Sequence, residues 1–146
     1  MTETPTVLVV LVSAFLLLES ANVAALYAAP GSRRFNAVGV FVAWETSAAD
    51  RDLHDLIRYL VFWVAGTKVI LIALWLVILL VGDATTQMWA SIVMVPTIAT
   101  FYWRLFPIIG RLDADGLIRP AGYSRLLGWM IAAFLAAFVV AIIAAL

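Results

Sequence analysis

Glu19 and Lys68 are the residues with chemistry to explain, because each stands inside a long apolar run. Glu19 lies 12 residues in from Val7, and Lys68 lies 13 residues in from Val81. At ~1.5 Å per helical residue, both reach roughly 18–20 Å from the same side, near the middle of a bilayer. Thr97 lies at the same depth, 13 residues in from Ala84, and Asn22 is one helical turn from Glu19. Pro96 has no N–H to give the carbonyl of Ile92, which leaves a further acceptor nearby. A lone charge at the bilayer centre costs ~2.5–3.5 kcal/mol on insertion scales. Opposite charges at equal depth therefore predict an ion pair, inside an intramembrane polar layer of Glu19, Asn22, Lys68 and Thr97.

Two kinds of chemistry fit such a layer. Intramembrane ionisable groups mark proton or ion relays and counter-charges for substrates. They also fix helix register as interhelical polar contacts, since loss of one partner strands the other at a typical cost of about 3–5 kcal/mol. No second acidic residue lies in the apolar runs to continue a relay, and the flanking side chains are mostly aliphatic or aromatic. The structural reading is preferred on that ground.

Other polar groups are weaker candidates. Asp50 and His54 have the i, i+4 spacing of a metal pair, but acids in a first helical turn usually complement the helix dipole. A single histidine and no cysteine make a poor transition-metal site and rule out thiol chemistry and bis-histidine haem within one chain. Asp113-Ala114-Asp115-Gly116 resembles the start of a calcium loop without its later ligands, and Asp-Gly reads first as a turn. No metalloprotease helix, nucleophile elbow or phosphate-cradling glycine loop is present. A non-enzymatic protein with no metal or cofactor is expected.

The elements that hold these residues are membrane spans. Of 146 residues, 66% are hydrophobic and 12% charged, against roughly 45–50% apolar for a soluble domain. So few polar side chains cannot cover a soluble globule of this size. Four apolar runs, at residues 7–29, 59–82, 84–109 and 121–146, each approach the ~20 residues that cross a ~30 Å core. The first lacks a basic flank and exceeds the apolar stretch of a signal peptide, so a membrane anchor is expected. Ser47 and Asp50 have capping-box spacing, which predicts a second helix over residues 47–82 that projects beyond the membrane. Pro120 suits the first turn of the fourth helix. The segment 35–44 is too short to cross and too apolar for water, which predicts an interfacial or shallow re-entrant piece.

Eight of the nine basic residues flank the first and third loops. Short loops rich in Lys and Arg stay cytoplasmic, so loops 30–58 and 110–120 are expected inside the cell and both termini outside. Tyr59, Trp63, Tyr102, Trp103, Tyr123 and Trp129 then mark the inner interface and Trp89 the outer one. Arg104, Arg111, Arg119 and Arg125 fall where anionic lipid head groups would meet them.

Small residues recur every fourth position at Ala133, Ala137, Ala141 and Ala145, beside Gly128, Ala132, Ala136 and Ala144, and again at Ser20, Ala24 and Ala28. Such rows let helices approach closely, within one chain or between chains. Zero net charge gives no reason to expect a nucleic-acid partner. The expected fold is an all-α, up-down-up-down bundle of four transmembrane helices with N-out/C-out topology. The expected function is that of a multi-pass cell-membrane component, a homo-oligomer or an accessory subunit alongside other membrane subunits. The alternative is an oligomeric small-ion, proton or solute transporter or channel using Glu19 and Lys68.

Overall fold

The computed structural model of the chain describes residues 6–145. It is all-helical, with four helical stretches long and apolar enough to cross a membrane, packed as a bundle. The first span is α1, Thr6–Ala28. A loop containing a short 3-10 turn, Val38–Val40, and α2, Val42–Ser47, leads to the second span, α3, Arg51–Val81. The third span is divided into α4, Ala84–Ala99, and α5, Phe101–Ala114, and the fourth is α6, Tyr123–Ala145. Helix α1 packs mainly on α3 and also on α6, while α4 and α5 both pack on α6.

Several helix ends are set by identifiable polar groups. Asp50 caps α3 by accepting from the Leu53 amide at 3.1 Å, so the helix starts at Arg51 and not at Ser47. Ser47 instead closes α2, with its hydroxyl donating to the Trp44 carbonyl. The C-terminal carbonyls of α3 would otherwise lack partners in an apolar setting. Gln87 supplies them, sharing its side-chain N–H groups among the carbonyls of Ile78, Leu79 and Gly82. Asp83 then caps α4 through the Thr86 amide at 2.8 Å. The Thr86 side chain, and after it the Thr86 backbone N–H, hold the Asp83 carboxyl below its ordinary value. A lowered carboxyl stabilises the fold above its unfolded pKa, so this cap weakens only under strong acid, below ~4.

The third span is interrupted at Thr100, one turn after Pro96, which removes a backbone donor. The Thr100 amide reaches back to the Pro96 and Thr97 carbonyls, and the Thr100 hydroxyl donates to Thr97 O at 2.6 Å. Helix α6 begins at Tyr123, three residues after Pro120, so this proline precedes the helix and is not in its first turn. The start of α6 is held from α5: Asp113 accepts from the Gly122 amide, the Ser124 amide and the Ser124 hydroxyl.

Two ends of the bundle can now be distinguished. At the turn end, beside Gly82–Asp83, Leu8, Val12, Leu16, Trp75, Met94, Phe138, Ala141 and Ile142 form one close-packed cluster. At the loop end the core divides into two smaller clusters, around Leu26, Ala37, Val61 and Ala65 and around Val40, Ile109 and Ile118. Segment 35–44 supplies Ala37 and Val40, each 1% exposed, so it is tucked into the mouth of the bundle. Phe41 and Ile118 form an antiparallel bridge, with Val42 N donating to Leu117 O and Arg119 N to Val40 O. The first and third loops are thereby one unit.

Within the chain, the small-residue rows are buried only in part. The buried line of α6 runs through Ser124, Gly128, Phe138, Ala141 and Ile142, and Ala133, Ala136 and Ala144 are exposed. Phe138 is fully buried and fills the space that a continuous alanine row would have closed by backbone approach. Gly128 does serve close approach, since the Phe106 ring lies against it and the Tyr102 hydroxyl donates to its carbonyl at 2.6 Å. Ser20, Ala24 and Ala28 all face outward from the bundle.

Gly39 is the tightest backbone contact. A Cβ there would stand 1.9 Å from the Gly31 carbonyl oxygen, whereas one at Gly110 would meet nothing within 4 Å. Gly39→Ala is expected to lower stability by roughly 1–3 kcal/mol, as overpacking against backbone does. Gly110→Ala should instead raise it by up to about 1 kcal/mol, from helix propensity. Thermal unfolding of both variants in the same detergent checks this, and a neutral Gly39→Ala would show that the loop is not packed as described.

Candidate functional site: a charged node at the head of a cleft

The site begins where α1 packs on the middle of α3. Ala65 is fully buried and Gly66 carries no side chain, so α1 can lie against this stretch of α3, with the Tyr27 ring stacked on Phe62. Lys68, half a turn beyond Gly66, then meets the α1 face that carries Glu19 and Asn22. Its Nζ stands 2.7 Å from Glu19 Oε2 and donates to Asn22 Oδ1 at 2.7 Å. The carboxylate contact is coulombic more than directional, because Oε2 has no well-aligned hydrogen bond although it is buried. The two charged side chains remain 26% and 23% exposed, for Lys68 and Glu19 respectively.

Asn22 is the hub of this node. It is 6% exposed, and its side-chain N–H groups donate to the carbonyls of Phe35 and Asn36 in the first loop. Both loop residues adopt the left-handed region, at φ 53° and 54°. Asparagine tolerates that conformation; phenylalanine does so at a cost of order 1–3 kcal/mol, and it persists only where surrounding contacts over-determine it. Asn36 Oδ1 in turn accepts from the Tyr123 hydroxyl at 2.8 Å. One polar chain thus joins α1, α3, the first loop and α6.

Three of the four residues expected in the polar layer meet in this way. Thr97 does not join them. It is exposed, and its hydroxyl donates to Val93 within its own helix at 2.9 Å. Counting residues gives a side chain's depth but not its direction around the helix, and α4 turns Thr97 away from the node. Asn36 and Tyr123 are members that the sequence reading missed. Asn36 sits in an apolar segment, and only the tolerance of asparagine for left-handed backbone offered a signal.

The node stands at the head of an open cleft of about 520 Å³ that extends toward the loop end. Helices α3 and α5 form its sides, with α1, α6 and the first loop completing it. Apart from Glu19, Asn22, Lys68 and Asn36, its lining is aliphatic or aromatic.

The arginines separate into two groups. Arg119 and Arg33 share Glu45, at 3.7 and 3.0 Å, which adds an ionic link between the two loops. Among the described residues, no carboxylate oxygen lies within 4.0 Å of Arg104, Arg111 or Arg125. Arg104 lies over the Trp103 ring at 5.2 Å. His54 is held by Ser47 Oγ at 2.9 Å and by the Trp44 ring at 4.7 Å, while Asp50 is occupied as a cap. Ser47 is 2% exposed and already donates to a backbone carbonyl, so this contact clips α2 to α3.

The chain is a small polytopic membrane protein with four candidate spans. No protein-family model, curated protein or solved structure matches it.

Asn22→Ala removes an acceptor from Lys68 and the donors that hold Phe35 and Asn36. Interhelical hydrogen bonds contribute ~0.6 kcal/mol on average and up to ~1.7, so a loss of about 1–3 kcal/mol is expected with the freed loop carbonyls included. Amide exchange at Ala37 and Gly39 should accelerate in the variant. Unchanged protection there would separate Asn22 from the ordering of the loop.

Proposed function

We propose that the protein is a non-catalytic component of the cell membrane, in which the Glu19–Lys68–Asn22 node holds helix register and anchors the first loop. The carrying observation is that the contacts Lys68 and Asn22 make run to parts of the protein itself, to Glu19 on α1 and to the first loop. A relay would need further ionisable groups along a path, and the node instead joins α1 and α3 to a strained loop, with no other acidic residue in the apolar runs. The loop end faces the cytoplasm and the termini face outward, a reading supported by the arginines around the first and third loops. Contact of Arg104, Arg111 and Arg125 with anionic head groups there is supported by the lack of a carboxylate within 4.0 Å among the described residues. Association with a second copy or with other membrane subunits is supported by Ser20, Ala24 and Ala28, which face outward and are small enough for close helix approach.

A second reading is transport of a proton, small ion or solute by an oligomer. The observation that favours it is the cleft, which leaves Glu19 and Lys68 in its lining. The packed cluster around Phe138 fills the turn end.

Removing one charge and then both distinguishes these readings. Glu19→Gln, or Glu19→Leu alone, should lower stability in detergent by roughly 3–5 kcal/mol, because Lys68 is left unpaired. Glu19→Leu with Lys68→Leu should restore most of that loss, together with function. A refolded double variant that has lost a proton- or ion-coupled flux in proteoliposomes would overturn the scaffold reading. Orientation has its own test, since the chain has no cysteine. Thr85→Cys should react with an impermeant maleimide on intact cells, and Ala114→Cys only after permeabilisation; the reverse pattern would invert the topology.

A further inference from the structure

The scaffold reading leaves the cleft unexplained, since a register device needs no open space beside it. We propose that the cleft binds a neutral amphiphile, a molecule with an apolar body and one carbonyl or hydroxyl group at its end. Its size of about 520 Å³ lies within the roughly 300–1,000 Å³ of small-molecule sites. The route in is through lipid. Leu60 and Val64 on α3 and Leu105 and Ile108 on α5 line the cleft, and these apolar side chains are between 45% and 61% exposed. A water-soluble solute would have to cross that greasy rim. A lipid-soluble one is already in the phase that bathes it.

The head of the cleft selects the polar group. Lys68 has three ammonium protons and places two contacts, on Glu19 and Asn22, which leaves one donor available. Glu19 Oε1 accepts no hydrogen bond from the described residues, and unlike Oε2 it is not enclosed. A hydrocarbon chain reaching this point would face both groups without satisfying either, which is unfavourable in an apolar site. A charged head fits no better. The node already holds one positive and one negative charge in contact, so a third charge would enter an apolar space with no counter-charge of its own. A carbonyl accepts from Lys68, and a hydroxyl also donates to Glu19, with no change in net charge. The inference goes beyond the scaffold reading and does not depend on it: the node can hold register whether or not the cleft is filled.

Lys68 is the only lysine in the chain, so isotope-labelled lysine places a single ammonium reporter at the head of the cleft. The full-length protein in bicelles would be titrated with dodecanol, methyl decyl ketone, dodecane, dodecanoate and dodecylammonium. Saturable shifts of the Lys68 signal are expected with the alcohol and the ketone, at concentrations roughly tenfold below any response to the other three. Leu105→Trp, on the exposed wall of the cleft, should abolish the saturable response while the ligand-free Lys68 signal stays in place. An equal response to dodecane would mean that the cleft merely takes up hydrocarbon, and the proposal would fall. Tighter binding of either charged probe, shifts that never saturate, or a Leu105→Trp variant that still binds would overturn it as well.

Discussion

The structure depends on one constraint: the charge of Lys68 must be met inside an apolar bundle. A cation at that depth has few solutions, and the chain uses two partners on one face of α1. Glu19 supplies the opposite charge, and Asn22 supplies a directional acceptor. Because these residues lie three apart, a single orientation of α1 presents both. Rotation or sliding of α1 against α3 would lose at least one of them. The pair therefore fixes register even if its net contribution to stability is small, since burial of both charges offsets much of their attraction.

The same constraint extends outward through Asn22. Its acceptor faces Lys68, and its donors face the Phe35 and Asn36 carbonyls, so placing the lysine also places the first loop. That loop carries Phe41 to its bridge with Ile118, and the third loop carries Asp113 and Ser124, which start α6. Tyr123 closes the circuit by donating to Asn36. Loops are ordinarily the loosest part of a helical membrane protein. Here they are held by backbone pairing, by shared ion pairs with Glu45 and by a side chain from inside the bundle.

What could be read from sequence follows from what a one-dimensional pattern encodes. Length and hydropathy gave the four spans, because crossing a hydrocarbon layer fixes both. Residue counting gave the common depth of Glu19 and Lys68, because helical rise is uniform. It failed for Thr97, because azimuth depends on how each helix is rotated in the bundle. Ser47 and Asp50 show a similar ambiguity. Both are good capping residues at plausible positions; Asp50 caps α3, and Ser47 is engaged with Trp44 O and His54 instead. The alanine rows of α6 are a weak guide to packing within the chain, because small residues permit close approach but do not compel it: Ala141 is buried, and Ala133, Ala136 and Ala144 are exposed. Asn36 was least legible, because its role depends on a backbone conformation and on partners 14 and 87 positions away.

The two ends of the bundle also differ in how they satisfy their polar groups, and this difference explains where the open space lies. At the turn end, Gln87 and Asp83 satisfy helix termini locally, within a few residues of chain. Apolar side chains from α1, α3, α4 and α6 are then free to pack into one cluster. At the loop end, α5 follows the interruption at Thr100 and is bound to α6 by Tyr102, Phe106 and Asp113. Helix α3 is bound to α1 by the charged node. Each of these helices is thus fully engaged with a different neighbour, and little remains to draw α3 and α5 together. The cleft between them is the geometric consequence of two strong pairings that do not share a partner at this level, and the residues of the α1–α3 pairing also line its polar head.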